Sequence, residues 1–185
     1  IYRCDWSSDV CSSDLANIIC TNALLTKTKD TTAFLKDLNE QISKDDTANL
    51  YVIHGTPRLD TIGIDSISYS ASFLELISKN NFTCSLEGAY PYFEINDVIK
   101  LKIEELGFKK VQVVPLLLVS GNHYINDMFE IKEDLEEKFE SSIVSSLTQS
   151  EQFNLIELPM IQSIIEKNIQ DSFKMMGISH KEITY

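Results

Sequence analysis

The sequence predicts an α/β protein built on a doubly wound parallel sheet. Three observations predict it: short apolar runs alternate with longer segments of helical period, no Asn-Gly hairpin joins consecutive runs, and Val111 to Val119 is almost continuously apolar, broken only by Gln112. Alternating strand and helix makes parallel crossovers the simplest connection. A Val- and Leu-rich run without polar alternation is a strand covered by helices on both faces.

Taken in order, Ala16 to Leu25 is apolar. Lys29 to Ser43 places Phe34, Leu35, Leu38 and Ile42 at spacings of one, three and four, which is an amphipathic helix. Leu50 to Ile53 is a short strand, Ile64 to Ser78 a helix, and Phe82 to Leu86 a second strand. Glu94 to Leu106 is a helix ended by Gly107, which suits a left-handed residue after a helix. The strand Lys110 to Val119 follows, then a charged amphipathic helix over Phe129 to Ser145, a strand over Phe153 to Glu157, and a helix over Pro159 to Met176 with its proline in the first turn.

The first fifteen residues do not fit this scheme. They hold the near-repeat Trp-Ser-Ser-Asp-Val / Cys-Ser-Ser-Asp-Leu, which has neither helical nor strand period and looks like translated sequencing-adapter read-through. On that reading Cys4 and Cys11 leave with it. Of the remaining pair, Cys20 and Cys84, the latter sits in a strand pattern and reads as a small core residue.

At 185 residues and 43% hydrophobic composition the chain is long enough to bury one substantial core. A formal net charge of -12 and the lack of any Lys/Arg cluster argue against nucleic acid as a partner. No run approaches the roughly 20 apolar residues that span a bilayer. With no secretory pattern and no disulfide framework, a reducing cytoplasm is the expected location. The six glycines form no G-x-G-x-x-G motif and no P-loop.

Three residues stand where an open parallel sheet binds its ligands, beyond the carboxyl ends of the strands. His54 ends Tyr-Val-Ile-His-Gly-Thr, Glu87 ends Cys-Ser-Leu-Glu-Gly, and His123 follows the third run in Val-Ser-Gly-Asn-His-Tyr. They lie 33 and 36 residues apart, about one strand-helix unit each. Two imidazoles and a carboxylate suit a divalent transition metal with open coordination positions. Singly, each has a plainer reading: a structural strand-end His, a solvent-facing Glu, and an Asn126-Asp127 pair that caps a helix. In the functional version Asp127 or a neighbour accepts the second imidazole N–H of His123. His180 lies in the C-terminal tail, outside any strand-end context.

At these residues the chain resembles the anaerobic cobalt chelatases of cobalamin biosynthesis, the sirohydrochlorin cobaltochelatase family among the class II tetrapyrrole chelatases. The most specific segment, Val114-Pro-Leu-Leu-Leu-Val-Ser-Gly-Asn-His-Tyr-Ile-Asn-Asp-Met128, is similar to the family's Pro-Leu/Phe-Met-x-Val-Ala-Gly-Asp-His-Ala-x-Asn-Asp-Met. His54-Gly-Thr resembles its Gly-His-Gly-Thr, Leu86-Glu-Gly-Ala-Tyr-Pro91 its Val-Glu-Gly-Tyr-Pro with one residue inserted, and Glu157-Leu-Pro-Met-Ile-Gln162 the opening of its last helix.

The resemblance implies one half of a two-lobed fold. Residues 16–185 correspond to the C-terminal chelatase-like domain, with the N-terminal half largely missing. It also implies that His54, Glu87 and His123 bind metal, with His54 and His123 catalytic. The chain departs from the family at Arg58, where a second His is frequent, at Asn122 in place of an Asp, and at Asn168 in place of a His.

Insertion of a metal needs an ion held by few protein ligands, a bent macrocycle, and an acceptor for two pyrrole protons. Imidazole, titrating near neutrality, serves as ligand or proton acceptor. The expected function is insertion of Co²⁺ into sirohydrochlorin, with the ion as substrate and no organic cofactor. His54 is ligand and base, His123 ligand, and Glu87 ligand or proton relay. Arg58 would pair with a substrate carboxylate, or be a solvated loop charge. Rival readings are insertion of iron or nickel, and a carrier that binds tetrapyrrole or metal without inserting. A metal-dependent hydrolase lacks a second acid cluster. The oligomeric state stays open, a homo-oligomer included.

Overall fold

The structure is a computed structural model that describes residues 21–60, 63–119 and 121–175. The adapter-like residues 1–15, Cys20 and His180 lie outside the described residues, as do the side chains of residues 122–125. Among the described residues four strands form one sheet, β1 (Thr47–Gly55), β2 (Asn81–Glu87), β3 (Lys110–Leu116) and β4 (Glu140–Ile143), in the order β2-β1-β3-β4. Every pairing is parallel. The chain leaves β1 for β2 on one side, then returns past β1 to lay β3 on the other. That reversal defines a doubly wound sheet and its ligand crevice.

Among the described residues five helices cover the sheet: α1 (Thr28–Ile42), α2 (Ile64–Ile77), α3 (Tyr92–Glu105), α4 (Asn122–Glu136) and α5 (Pro159–Met175). α1 packs on α2 and α5, while α3 and α4 are joined to each other by hydrogen bonds across the other face. The pleat of β1 sorts its residues between these layers. Asn49 and Tyr51 bond to Ser43 and Asn39 of α1 and its C-terminus, so odd positions face α1 and α2. Leu50 and Val52, both fully buried, face the other way.

The helix periods are legible and hold: Phe34, Leu35, Leu38 and Ile42 are all buried in α1, and Gly107 has φ +83° after α3. β1 is longer than its apolar run because it also carries Asn49, a residue that strands bury only when it is bonded. Here Asn49 donates to Asn81 Oδ1 at 3.1 Å, and Asn81 donates to Asn39 Oδ1 and the Leu74 carbonyl, each at 2.8 Å. Replacing Asn81 with alanine is expected to lower stability by about 2 kcal/mol, because buried partners lose their bonds. A shift of the urea midpoint at constant slope checks this.

Three expected elements differ. The strand expected over Lys110 to Val119 ends at Leu116, and Leu118 and Val119 beyond it are exposed. The helix expected over Phe129 to Ser145 spans Asn122–Glu136, and Asn126 and Asp127 lie inside it; the N-cap is Gly121, in extended conformation. Met128, Ile131 and Leu135 bury its apolar stripe. The helix stops early because Lys138 and Phe139 both donate to the Leu135 carbonyl, after which Glu140 N–H reaches the Lys109 carbonyl at 2.9 Å and starts β4 along β3. The strand expected over Phe153 to Glu157 is instead a 3-10 turn, Leu155–Glu157. Leu155 and Ile156 do donate to the carbonyls of Leu117 and Leu118, but Leu158 N–H turns back onto Leu155 and Pro159 begins α5. Glu157, accepting from Thr148, Ser150 and Asn154, holds that turn, and these bonds lower its carboxyl pKa.

Among the described residues no helix is long and apolar enough to cross a membrane. Cys84 is buried, and burial pushes its thiol well above the usual range, as a core residue requires.

Candidate metal and substrate site

The carboxyl ends of β1 and β2 meet without space between them. Gly55 pairs with Glu87, and a Cβ on Gly55 would lie 2.0 Å from the Glu87 carbonyl oxygen. One residue on, a Cβ on Gly88 would lie 1.8 Å from the Thr56 carbonyl oxygen. Both glycines are left-handed, with φ +77° and +78°, so each strand ends in a turn that only glycine tolerates at this separation. Glycine after His54 and after Glu87 is thus a packing demand of two adjoining strand ends.

On the pleat, His54 follows the parity of Val52, whereas Glu87 is level with Gly55 and follows Ser85. The two residues are therefore on adjoining strand ends but in alternate orientations. His54 is exposed and Glu87 half-buried. His54 Nδ1 lies 3.3 Å from the Gly55 carbonyl, a group that only accepts. An imidazole that donates from one ring nitrogen keeps a lone pair on the other, which is the nitrogen a metal ligand or base uses.

His123 is the second residue of α4, beyond the carboxyl end of β3. β3 neighbours β1, so the strands that end at or lead to Glu87, His54 and His123 are consecutive in the sheet, β2, β1, β3. Among the described residues no three His, Cys, Asp or Glu groups cluster closely enough to hold a metal ion, and the His123 side chain is outside that description. Asp127, expected as a cap or imidazole acceptor, is four residues after His123 within the same helix, a spacing that shares one helix face.

Arg58 is engaged. Its Nε and Nη2 donate to the two carboxylate oxygens of Asp60 at 2.9 and 2.6 Å, a bidentate pair on the surface that raises the guanidinium pKa and lowers that of Asp60. A substrate carboxylate would have to displace Asp60.

A second network, which no sequence motif announces, links the helices behind the site. Lys100 of α3 has its side chain 4% exposed, with Nζ 2.8 Å from Asp134 of α4. Tyr92 Oη and Asn96 Nδ2 donate to the other Asp134 oxygen at 2.6 and 3.2 Å. Burial would raise the Asp134 pKa; the three hydrogen bonds and the Lys100 charge outweigh it and hold the carboxyl below its ordinary value. Burial first, then the bond to Asp134, pushes the Tyr92 phenol up. Tyr92 is the first residue of α3, four after Gly88, and α4 starts with the His123 turn. The network therefore ties the helix behind Glu87 to the helix that carries His123.

The loop after β2 is fixed as well. Ser85 donates from its N–H to the Tyr90 carbonyl at 3.0 Å and from Oγ to the Ala89 carbonyl at 2.5 Å, which caps the outer edge of β2 at its carboxyl end. A groove of about 410 Å³ runs along that edge between α2 and α3 and reaches the rim at Ala89 and Tyr90, without including His54 or Glu87.

A four-stranded parallel sheet of this order, with glycine-tight strand ends presenting imidazole and carboxylate, has the architecture of the class II tetrapyrrole chelatases. A CbiX protein from Marinobacter aquaeolei VT8, named for cobalamin (vitamin B12) biosynthesis, has a similar fold: 18% identity, 70% of this chain and 98% of that one covered, TM-score 0.52. No curated protein sequence matches. The family described as cobalt chelatase (CbiK) matches residues 11–174, and the chain belongs to that family of metal chelatases.

Proposed function

We propose that the protein inserts Co²⁺ into sirohydrochlorin, a step of anaerobic cobalamin biosynthesis. The observation that carries this reading, beside family membership, is that the strands that end at or lead to His54, Glu87 and His123 are consecutive in the sheet. Because His54 and Glu87 alternate on the pleat, a shared ion sits beyond the rim of the sheet, where it faces a macrocycle lying across the strand ends. His54 and His123 supply nitrogen ligands and Glu87 supplies charge; as the ion passes into the macrocycle, one pyrrole proton goes to the His54 nitrogen that the ion vacates and the second is relayed by Glu87 to solvent. The ion is substrate, and the scheme uses no organic cofactor.

The test is the absorbance change of sirohydrochlorin with Co²⁺, Fe²⁺ or Ni²⁺. Conversion above the uncatalysed rate, fastest with Co²⁺ and lost in His123→Ala, is expected. Binding of sirohydrochlorin without insertion of any of the three metals would replace this reading by that of a carrier.

A further inference from the structure

We propose that Tyr90 is a positioning residue for the macrocycle, an aromatic residue whose backbone is fixed at the rim beside the carboxyl ends of β1 and β2. The inference rests on the tetrapyrrole reading above and adds to it the residue that orients the ring. Tyr90 has φ +65°, a left-handed conformation that bulky L residues rarely adopt. Its side chain gains nothing from the core in return, since the residue is 67% exposed. Glycine would hold the same backbone without strain, so the turn alone does not call for an aromatic.

What holds Tyr90 in place is over-determined. Both bonds from Ser85 grip the carbonyls of residues 89 and 90, Pro91 forms an isolated bridge with Ser85, and Gly88 is wedged against Thr56 of the His54 loop. A strained residue kept by its surroundings with an exposed ring, three positions after Glu87, is arranged in advance for a ligand. With the backbone already ordered and only two side-chain torsions to settle, a tyrosine ring meets a conjugated π system with little further loss of freedom. A tetrapyrrole lying across the strand ends is such a system.

The experiment titrates sirohydrochlorin into this chain and into Tyr90→Phe, Tyr90→Leu and Tyr90→Gly, following the absorption band of the bound macrocycle. Tyr90→Phe is expected to bind within about twofold of the parent and to keep the band shift. Leu and Gly should weaken binding about tenfold and lose the shift, as expected for a lost stacking partner. KM for sirohydrochlorin should rise with kcat little changed. Co²⁺ binding without macrocycle should be unaltered in all three. Tyr90→Gly should melt no lower than the parent, which separates ring contact from folding. Leu or Gly variants that bind as tightly with the same band shift overturn the proposal and leave the chelatase reading intact. Loss in Phe equal to that in Leu also overturns it, by making the hydroxyl the contact. If the parent chain itself does not bind sirohydrochlorin, the chelatase reading falls and this inference with it.

Discussion

Replacing Asp134 with alanine is expected to lower stability by about 3 kcal/mol, which for a chain of this size is a drop of roughly 6–12 °C in Tm. The loss arises mainly from Lys100. Its side chain is 4% exposed and its ammonium lies 2.8 Å from Asp134, with Glu137 at 3.5 Å a longer and more exposed partner. That second partner places the loss at the low end of what breaking a buried pair costs. Lys100→Met combined with Asp134→Leu should recover much of it, since an apolar pair leaves no charge stranded. The effect has a pH signature. Because the Asp134 pKa is lowered on folding, its contribution is present above the unfolded-state value near 3.9 and is lost as pH falls through the folded value. Parent and Asp134→Ala melting temperatures should therefore differ steadily between pH 5 and 8 and converge in acid below about pH 4.

Gly88→Ala is expected to cost about 2–4 kcal/mol and to weaken Co²⁺ binding with it. The left-handed backbone contributes about 1–2 kcal/mol of this. The rest comes from a methyl placed 1.8 Å from the Thr56 carbonyl oxygen, a backbone atom that moves only if the loop after His54 moves. Gly55→Ala should behave alike, its methyl lying 2.0 Å from the Glu87 carbonyl oxygen. Gly107→Ala is the control. It has φ +83° but nothing within 4 Å of the added Cβ, so it should lose only the conformational part and leave metal binding unchanged. Equal losses at Gly88 and Gly107 would mean that the strand ends are not in fact tightly packed.

Where burial follows hydrophobic period, the sequence was a sufficient guide: α1, α2 and α5 begin and end within two residues of the bounds their patterns predict. It failed where polar contacts decide. Asn49 extends β1 because Asn81 and Gln112 lie beside it, partners 32 and 63 residues away that no local pattern connects. β4 escaped notice because its Glu-Ser-Ser-Ile alternates only over four residues, and its existence depends on the open edge of β3. At the site, the strand-end placement of His54 and Glu87 was legible, and so were the glycines after them, although not the close approach that requires glycine. Asn126 and Asp127 misled because a capping signal inside a helix looks the same as one before it. The clasp of Lys100, Tyr92, Asn96 and Asp134 carries no signature at all: a Lys and an Asp on two helical faces read as solvated charges until the helices are brought together.

The strand order also has a consequence on the ribosome. β1 is complete at Gly55, and α2 and β2 can close one side of it at once, but its other side waits for β3, which ends at Leu116. At about 5–20 residues per second, the 61 residues between them take roughly 3–12 s to emerge. For that interval the apolar run Leu-Tyr-Val-Ile presents an unpaired edge, the kind of surface that recruits strands from other nascent chains. The winding that creates the crevice at the strand ends thus leaves β1 open along one side until β3 has emerged.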